Sequence, residues 1–431
     1  MYHLRCGTRM LQSRNDIRHS TFTLYNTRLN KHVEISKYAA WLIRYAHKNH
    51  SFERLSKNTI TRVFLNQLMD IGFLSNNTTI SEKETSVYLG KQFRHRFPLT
   101  ALNIELTNMC NLRCKHCYGS FSDVPKPEFV PYEWIKGSIS ELNNLHVRKI
   151  ALTGGEATLH PQFLEIAIFL MEQGFDLCVF TNGYNYNIIK ELLERGKDFH
   201  FTIKVSLDGL GDIHNQIRGK ERAYSNAVDT IELISQFPNV TLYISTTVLP
   251  ENLDEIDSLS DAIKTNYPNA IHTKDLVFPM GNADTCTFST DDLPVIDQKI
   301  PSIFLRHGTD DIEEDNSKPT RLRCTGGVSQ CTLMPDGSLK ICNAACDKQF
   351  YFKHNAYKKG LKFAWIHCGN AVRRFRHERT KETDECQKCA YRQACKGSNC
   401  RVLAWAYTGD ANRSNPLTCF ATRKAVREEQ V

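Results

Sequence analysis

The sequence predicts an α/β protein: a parallel sheet of six strand–helix repeats, preceded by a winged-helix-like unit and followed by a cysteine-rich unit. Three observations predict it. Apolar strand-like runs at 101–106, 149–153, 176–181, 201–206, 241–248 and 275–278 alternate with helical periodicity at 131–144, 162–173, 187–195, 224–237 and 253–266. Ten of the 16 cysteines follow residue 320. Residues 1–100 hold 16 Lys+Arg against 6 Asp+Glu, whereas the remainder holds 39 against 41, so the whole excess of base lies at the start of the chain.

A length of 431 residues predicts two to three domains. The boundaries expected are 1–95 for the winged-helix-like unit, 96–285 for the repeats, 286–320 for a polar linker and 321–431 for the cysteine-rich unit. The linker includes the acidic run Asp310 to Asp315. No run approaches the roughly 18 apolar residues of a membrane span. The N-terminus lacks the basic-then-apolar plan of a signal peptide. A cytoplasmic location is therefore expected, and there cysteines point to metal rather than to disulfides.

Within the first unit, Phe22–Tyr25 and His32–Ile35 read as strands. Ser36 is placed to cap a helix carrying Ala39, Trp41, Leu42 and Tyr45. A second helix starts near Asn58, with Ile60, Phe64, Leu68 and Ile71 on one stripe and Gly72 at its C-cap. A wing at Phe73–Leu74 and 78–80 completes the plan. Its basic field attracts an acidic partner, either nucleic acid or an acidic peptide.

Cys110, Cys114 and Cys117 follow the first strand of the repeats at C-x₃-C-x₂-C spacing. Three thiolates can hold three irons of a four-iron cluster and leave the fourth open to a small molecule. A zinc knuckle would need a fourth ligand, which His116 would supply only in a cramped chelate. Successive strands then end in Gly154-Gly155-Glu156, Thr181-Asn182-Gly183 and Ser206-Leu207-Asp208-Gly209. Singly, each is an ordinary strand-to-helix turn. Together they mark the strand ends where α/β barrels build active sites.

These residues resemble the radical S-adenosylmethionine superfamily over roughly residues 100–280. The resemblance implies an open, partial (β/α)6 TIM-like barrel, with a four-iron–four-sulfur cluster on Cys110, Cys114 and Cys117. It implies S-adenosylmethionine on the open iron, with Gly154, Gly155 and Glu156 at its amino group and Ser206 among its contacts. His116 holds a position usually aromatic in that family. Arg218 suits the methionine carboxylate, against a plain reading as a surface arginine, and Asn252 lies in a segment resembling the family's Asn-Leu-x-Glu.

Beyond residue 320, Leu333–Cys342 reads as a hairpin with an Asp336-Gly337 turn. By spacing alone, zinc ribbons and iron–sulfur clusters compete there. With the preceding domain, Cys324, Gly337 and Cys342, then Cys386-x₂-Cys389-x₅-Cys395, resemble the SPASM extension, which implies two auxiliary four-iron clusters and three in all. Carried over by order, Cys324, Cys331, Cys342 and Cys400 hold the first; Cys386, Cys389, Cys395 and Cys419 hold the second. The x₄ before Cys400 departs from the usual x₃. Cys6, Cys178, Cys286, Cys346 and Cys368 stay unassigned, with Cys178 read as a small core residue.

The resulting expectation is a maturase that installs a thioether or carbon–carbon crosslink in a ribosomally made precursor peptide. The N-terminal unit resembles domains that capture leader peptides, here an acidic leader, and a flavodoxin or ferredoxin would supply electrons. Alternatives are a sulfatase maturase, a peptide epimerase or decarboxylase, and a DNA-binding iron–sulfur sensor. Asn343 stands where sulfatase maturases carry a proton-accepting Asp. The sensor reading leaves the open iron without purpose.

Overall fold

The computed structural model describes residues 3–5, 8–12, 21–49, 52–75, 87–89, 97–121, 124–300, 324–378, 384–391, 400–417, 419–420 and 423. Cys6, Cys395, the wing at 78–80 and the acidic run 310–315 lie outside them.

The N-terminal unit pairs β1 (His3–Leu4) with β5 (Leu74–Ser75). Its four-stranded sheet contains β2 (Thr8–Gln12), β3 (Thr21–Asn26), β4 (Lys31–Ser36) and β6 (Tyr88–Leu89), in the order β4-β3-β2-β6. Three helices complete it: α1 (Lys37–Lys48), α2 (Phe52–Ser56) and α3 (Thr59–Ile71). Ser36 accepts from the Ala39 N–H, Asn58 accepts from Ile60 and Thr61, and Gly72 closes α3 at φ 94°. The caps expected at Ser36 and Gly72 are therefore the caps used, and Asn58, expected only near the start of the helix, caps α3.

The barrel repeats β7 (Ala101–Glu105), α4 (Tyr132–Asn144), β8 (Lys149–Thr153), α5 (Phe163–Glu172), β9 (Asp176–Thr181), α6 (Tyr186–Arg195), β10 (Phe201–Ser206), α7 (Asp212–Arg218), α8 (Ala223–Ser235), β11 (Val240–Val248), α9 (Ile256–Asn266) and β12 (Ile271–Leu276). All six strands run parallel in sequence order. The last strand lies earlier than its expected span of 275–278. Its sequence, Ile-His-Thr-Lys-Asp-Leu, lacks alternation because it is held on one side only, by β11.

Strand alternation separates two faces. Leu102, Ile104, Ile150, Leu152, Val179 and Ile203 face the helices and are buried. The inner face is polar: Asn103 and Glu105, then Cys178, Lys204, Tyr243 and Ser245, most of them only half-buried. Closed barrels fill this space with branched apolar side chains. Here an open, polar interior takes its place. Cys178 belongs to that inner face, beside Lys204, Asp176 and Lys149, which corrects its reading as a core residue. Register explains it: Cys178 pairs with Ala151 and Thr202, whereas Leu177 and Val179 point to the helices.

The cysteine-rich unit joins the same sheet. A hairpin of β13 (Gln330–Leu333) and β14 (Leu339–Lys340) adds to the free edge of β7, with β13 parallel to it. Its turn falls at Asp336-Gly337, with Gly337 at φ 82°. The buried Arg376 stacks on Trp365 (4.4 Å) and Phe97 (4.8 Å), and Trp365 donates to the Phe97 carbonyl at 2.8 Å. Among the described residues no helix is long and apolar enough to cross a membrane.

The N-terminal unit packs on the end of the barrel where strands begin. Arg9, fully buried, donates to the carbonyls of Gln173 (2.8 Å) and Val147 (3.2 Å) and to the Asn143 side chain, with its guanidinium 4.0 Å over Phe175. The His200 N–H donates to the Thr27 carbonyl at 3.1 Å. Apart from Asn143, in the last turn of α4, these barrel residues lie in the loops entering β8, β9 and β10. Arg9→Met is expected to lower the urea midpoint of the metal-free protein, at about 1–3 kcal/mol for each acceptor left unpaired. An unchanged midpoint would show that docking does not depend on Arg9.

Candidate functional site

The cysteine loop leaves β7 at the opposite end of the barrel, and its backbone is bonded on several sides. Gly155 and Glu156 donate to the Thr107 and Met109 carbonyls at 2.9 and 2.7 Å. Arg113 and Lys115 donate to the Arg218 and Ile217 carbonyls at 3.1 and 2.9 Å, and Asn282 donates to the Cys117 carbonyl at 2.9 Å. Lys220 Nζ donates to the Asn111 carbonyl at 3.0 Å. Turns after β8, α7 and β12 thus form a collar around one loop.

The glycines serve that collar. A Cβ on Gly155 would overlap the Met109 carbonyl, and one on Gly154, at φ 139°, would overlap the Thr107 carbonyl. The close approach that these glycines permit is to the cysteine loop itself. Cys286 and Cys346, unassigned from sequence, donate their thiols to the Lys115 and Tyr118 carbonyls at 3.5 and 3.3 Å.

Glu156 is buried and bonded. Its Oε1 accepts from Thr158 Oγ1 (2.7 Å), Thr181 Oγ1 (2.9 Å) and the Thr158 N–H (3.3 Å), while Oε2 accepts only from the Asn182 N–H (2.8 Å). Oε2 keeps the lone-pair capacity to receive a further donor. Burial pushes its carboxyl up, and the hydroxyl and backbone donors oppose that shift.

Arg218 departs from the expected role. Its Nη2 pairs with Asp208 at 2.7 Å, both side chains being almost fully buried, and its Nη1 contacts Cys114 Sγ at 3.7 Å. To bind a methionine carboxylate it would have to exchange these partners. Asp208 also accepts from the Thr247 N–H at 2.9 Å, and His116 Nε2 lies 3.7 Å from it. Burial holds His116 down at about 4, so it is neutral near neutral pH, and its Nδ1 has no partner among the described residues. Asn252 braces the region, donating to the Asp208 (2.6 Å) and Thr247 (2.8 Å) carbonyls. Asp208 was hidden in the Ser-Leu-Asp-Gly motif, where sequence reasoning saw only a turn. Ser206 lies on the inner face at the end of β10, paired in register with Ser245.

Cys110, Cys114 and Cys117 lie close enough to repel one another as thiolates. Burial pushes the Cys110 thiol up to about 12 and raises Cys114, while Arg218 opposes the rise at Cys114. Cys110 and Cys114 therefore hold their protons until a cationic centre compensates. Among the described residues no three His, Cys, Asp or Glu converge as a single ion requires. Cluster ligands bind separate irons and need no such convergence, so the donor set fits a cluster better than a zinc knuckle.

In the C-terminal unit Cys324, Cys342 and Cys400 come together. Cys331 does not join them. It is fully buried in β13, paired in register with Leu102 on the helix side, and its charged neighbour is Arg376, as for Cys368. Strand alternation turns Thr332, not Cys331, towards the interior, which corrects the expected four-ligand set. Glu385 links the two segments of the second expected set. It accepts from Arg413 (3.0 Å) and from the Ser414 N–H (2.9 Å) and hydroxyl (2.6 Å), next to Cys386 and four residues before Cys389, while Cys419 donates its N–H to Asn415.

Arg218→Met should destabilise the metal-free protein by about 3–5 kcal/mol, because it strands the Asp208 charge in a buried site. Chemical denaturation reads this directly. Unchanged stability would place the role of Arg218 in ligand binding alone.

Comparison with known proteins places this geometry. The Radical SAM superfamily model matches residues 104–263. The chain is 28% identical to the sporulation killing factor maturation protein SkfB of Bacillus subtilis, over 56% of this chain and 59% of that protein. It therefore spans little more than half of that relative. It is 26% identical to the AdoMet-dependent heme synthase of Methanosarcina barkeri, over 74% of this chain and 96% of that protein. Its fold resembles Streptococcus suis SuiB bound to precursor peptide SuiA, with a TM-score of 0.62 at 15% identity, covering 97% of this chain and all of that one. The three-cysteine loop and all of its collar except Asn282 lie within the superfamily match, and residues 104–263 form a domain of the radical SAM superfamily.

Proposed function

We propose that the protein modifies a ribosomally made precursor peptide by radical chemistry and installs a crosslink in it. The observation that carries this reading is a braced three-cysteine loop at the mouth of an open, polar barrel interior. Cys110, Cys114 and Cys117 would hold a four-iron cluster with one iron free for S-adenosylmethionine. When bound, that pair supplies a 5′-deoxyadenosyl radical able to remove a hydrogen atom from a substrate carbon. The chain's own part is to orient and to exclude water. Gly154 and Gly155 fix the loop, Glu156 Oε2 offers an acceptor to an ammonium group, and Ser206 and His116 line the mouth. Arg218 holds Cys114 and Asp208.

Similarity to the killing-factor maturation protein SkfB and to SuiB bound to its precursor peptide supports a peptide substrate for this chain. The N-terminal unit is the proposed site of capture, since it concentrates the basic residues. It also exposes Tyr38, Trp41 and Tyr45, stacked at 6.1 and 5.5 Å along α1. An acidic leader suits that field. A flavodoxin or ferredoxin is the proposed reductant and the cytoplasm the proposed location.

Among the described residues Cys324, Cys342 and Cys400 offer three thiolates for an auxiliary cluster, one short of a closed set, and a substrate thiolate suits a soft open position. This favours a thioether over a carbon–carbon bond. Cys386, Cys389, Cys395 and Cys419 are proposed for a second auxiliary cluster. The sulfatase-maturase alternative lacks its base: Asn343 is an amide and accepts from Thr332 Oγ1 at 2.7 Å.

The test is anaerobic co-expression with small peptides encoded beside the gene, read by mass spectrometry. The expected result is loss of two hydrogens per crosslink, reduced when residues 1–95 are deleted. No mass change with any such peptide would overturn the proposal, and full modification without residues 1–95 would remove the recognition role.

A further inference from the structure

Three buried carboxylates surround the cysteine loop: Glu156, Asp208 and Glu105. Glu156 is held by backbone and hydroxyl donors, and Asp208 by the Thr247 N–H together with the Arg218 guanidinium. Glu105 differs. Its partner is the Lys340 ammonium, 2.7 Å away, with side-chain exposures of 1% and 3%. Among the described residues no backbone or hydroxyl group donates to its carboxylate.

Its position follows from register. Glu105 is the last inward-pointing residue of β7, opposite Thr153. Lys340 reaches it from β14, across the edge where the cysteine-rich hairpin joins the barrel. Tyr118, directly after Cys117, lays its ring 5.8 Å from the Lys340 ammonium. The pair therefore sits between the cysteine loop and the C-terminal cysteines, on the face that lines the open interior. The titratable groups facing it are Lys340 and Asp336 from the hairpin, Cys346 and Tyr351 beyond it, and Tyr118 from the loop. A buried ion pair is weak as a source of stability, and buried ionisable groups in a cleft mark functional sites more often than chance.

Resting on the function proposed above, we propose that Glu105 is the proton acceptor of the bond-forming step, held in place by Lys340. Hydrogen-atom loss leaves a substrate carbon radical. That carbon joins a neighbouring X–H group, such as a thiol: the C–X bond forms and the X–H bond breaks. The proton passes to the Glu105 carboxylate, and one electron passes to an oxidised iron–sulfur centre in the C-terminal unit. Protons and electrons then balance with the two hydrogens lost. Lys340 holds the carboxylate in position at 2.7 Å. Burial raises the Glu105 carboxyl and Lys340 opposes that rise, so the group can take a proton without leaving its site.

The test compares wild type, Glu105→Gln, Glu105→Asp and the paired apolar variant Glu105→Leu/Lys340→Met. Three readouts are needed: crosslinked peptide per 5′-deoxyadenosine formed, bound iron, and melting temperature. Removing a general base costs about 100-fold or more, so Glu105→Gln should lower the product ratio by about that factor, with partial recovery in Glu105→Asp. The paired variant should recover melting temperature and iron, since apolar pairs replace buried ion pairs well, yet remain without product. Product at the wild-type ratio in either Glu105→Gln or the paired variant would overturn the assignment and leave a structural staple. A wild type silent towards every peptide would instead overturn the function on which the assignment rests.

Discussion

The structure depends on satisfying the backbone of one irregular loop. Residues 107–118 carry three cysteines and form no regular element, so their carbonyls must find partners elsewhere. Gly155 and Glu156 from the turn after β8, the last turn of α7, and Asn282 beyond β12 provide or receive those bonds. Cys286 and Cys346 add thiol donors. The loop is thus built by the ends of strands far apart in sequence, and the order of the parallel sheet brings those ends together. Preorganisation of this kind lets a site keep its geometry while its ligands carry reactive chemistry.

The two flanking units act on this barrel in different ways. The N-terminal unit is fixed through Arg9 to the end where strands begin, remote from the cysteine loop. Strands of about six residues place these ends roughly 20 Å apart, so a peptide captured on the N-terminal unit must extend along or around the barrel to reach the interior. The C-terminal hairpin instead continues the sheet at β7 and carries Lys340 and the Cys342 region directly to the interior. The proposed capture surface and the cysteine loop are separated in space, while the cysteine loop and the C-terminal hairpin share one sheet.

Much of this was legible in sequence. The βα alternation, the Ser36 cap, the helix start near Asn58, the Gly72 stop and the Asp336-Gly337 turn all follow from local patterns, because each depends on a few neighbouring residues. The C-x₃-C-x₂-C loop was legible because its spacing is itself chemical information. What escaped depends on partners distant in sequence. Arg218 looked free until Asp208 and Cys114 met it. Cys331 looked like a ligand until the register of β13 against β7 turned it to the helix side. Lys340 and Glu105 are separated by more than two hundred positions, and nothing local to either announces the other. The final strand was misplaced because a strand paired on one side need not alternate.

The central claim is that the cysteine loop prepares a centre able to cleave S-adenosylmethionine reductively. The most direct measurement is 5′-deoxyadenosine formation by the anaerobically reconstituted full chain with S-adenosylmethionine and dithionite, beside the Cys110→Ala/Cys114→Ala/Cys117→Ala variant. The account predicts 5′-deoxyadenosine from the wild type and none above background from the triple variant, with the iron of the C-terminal unit retained. Equal formation by the triple variant, or none by an iron-loaded wild type, would contradict it.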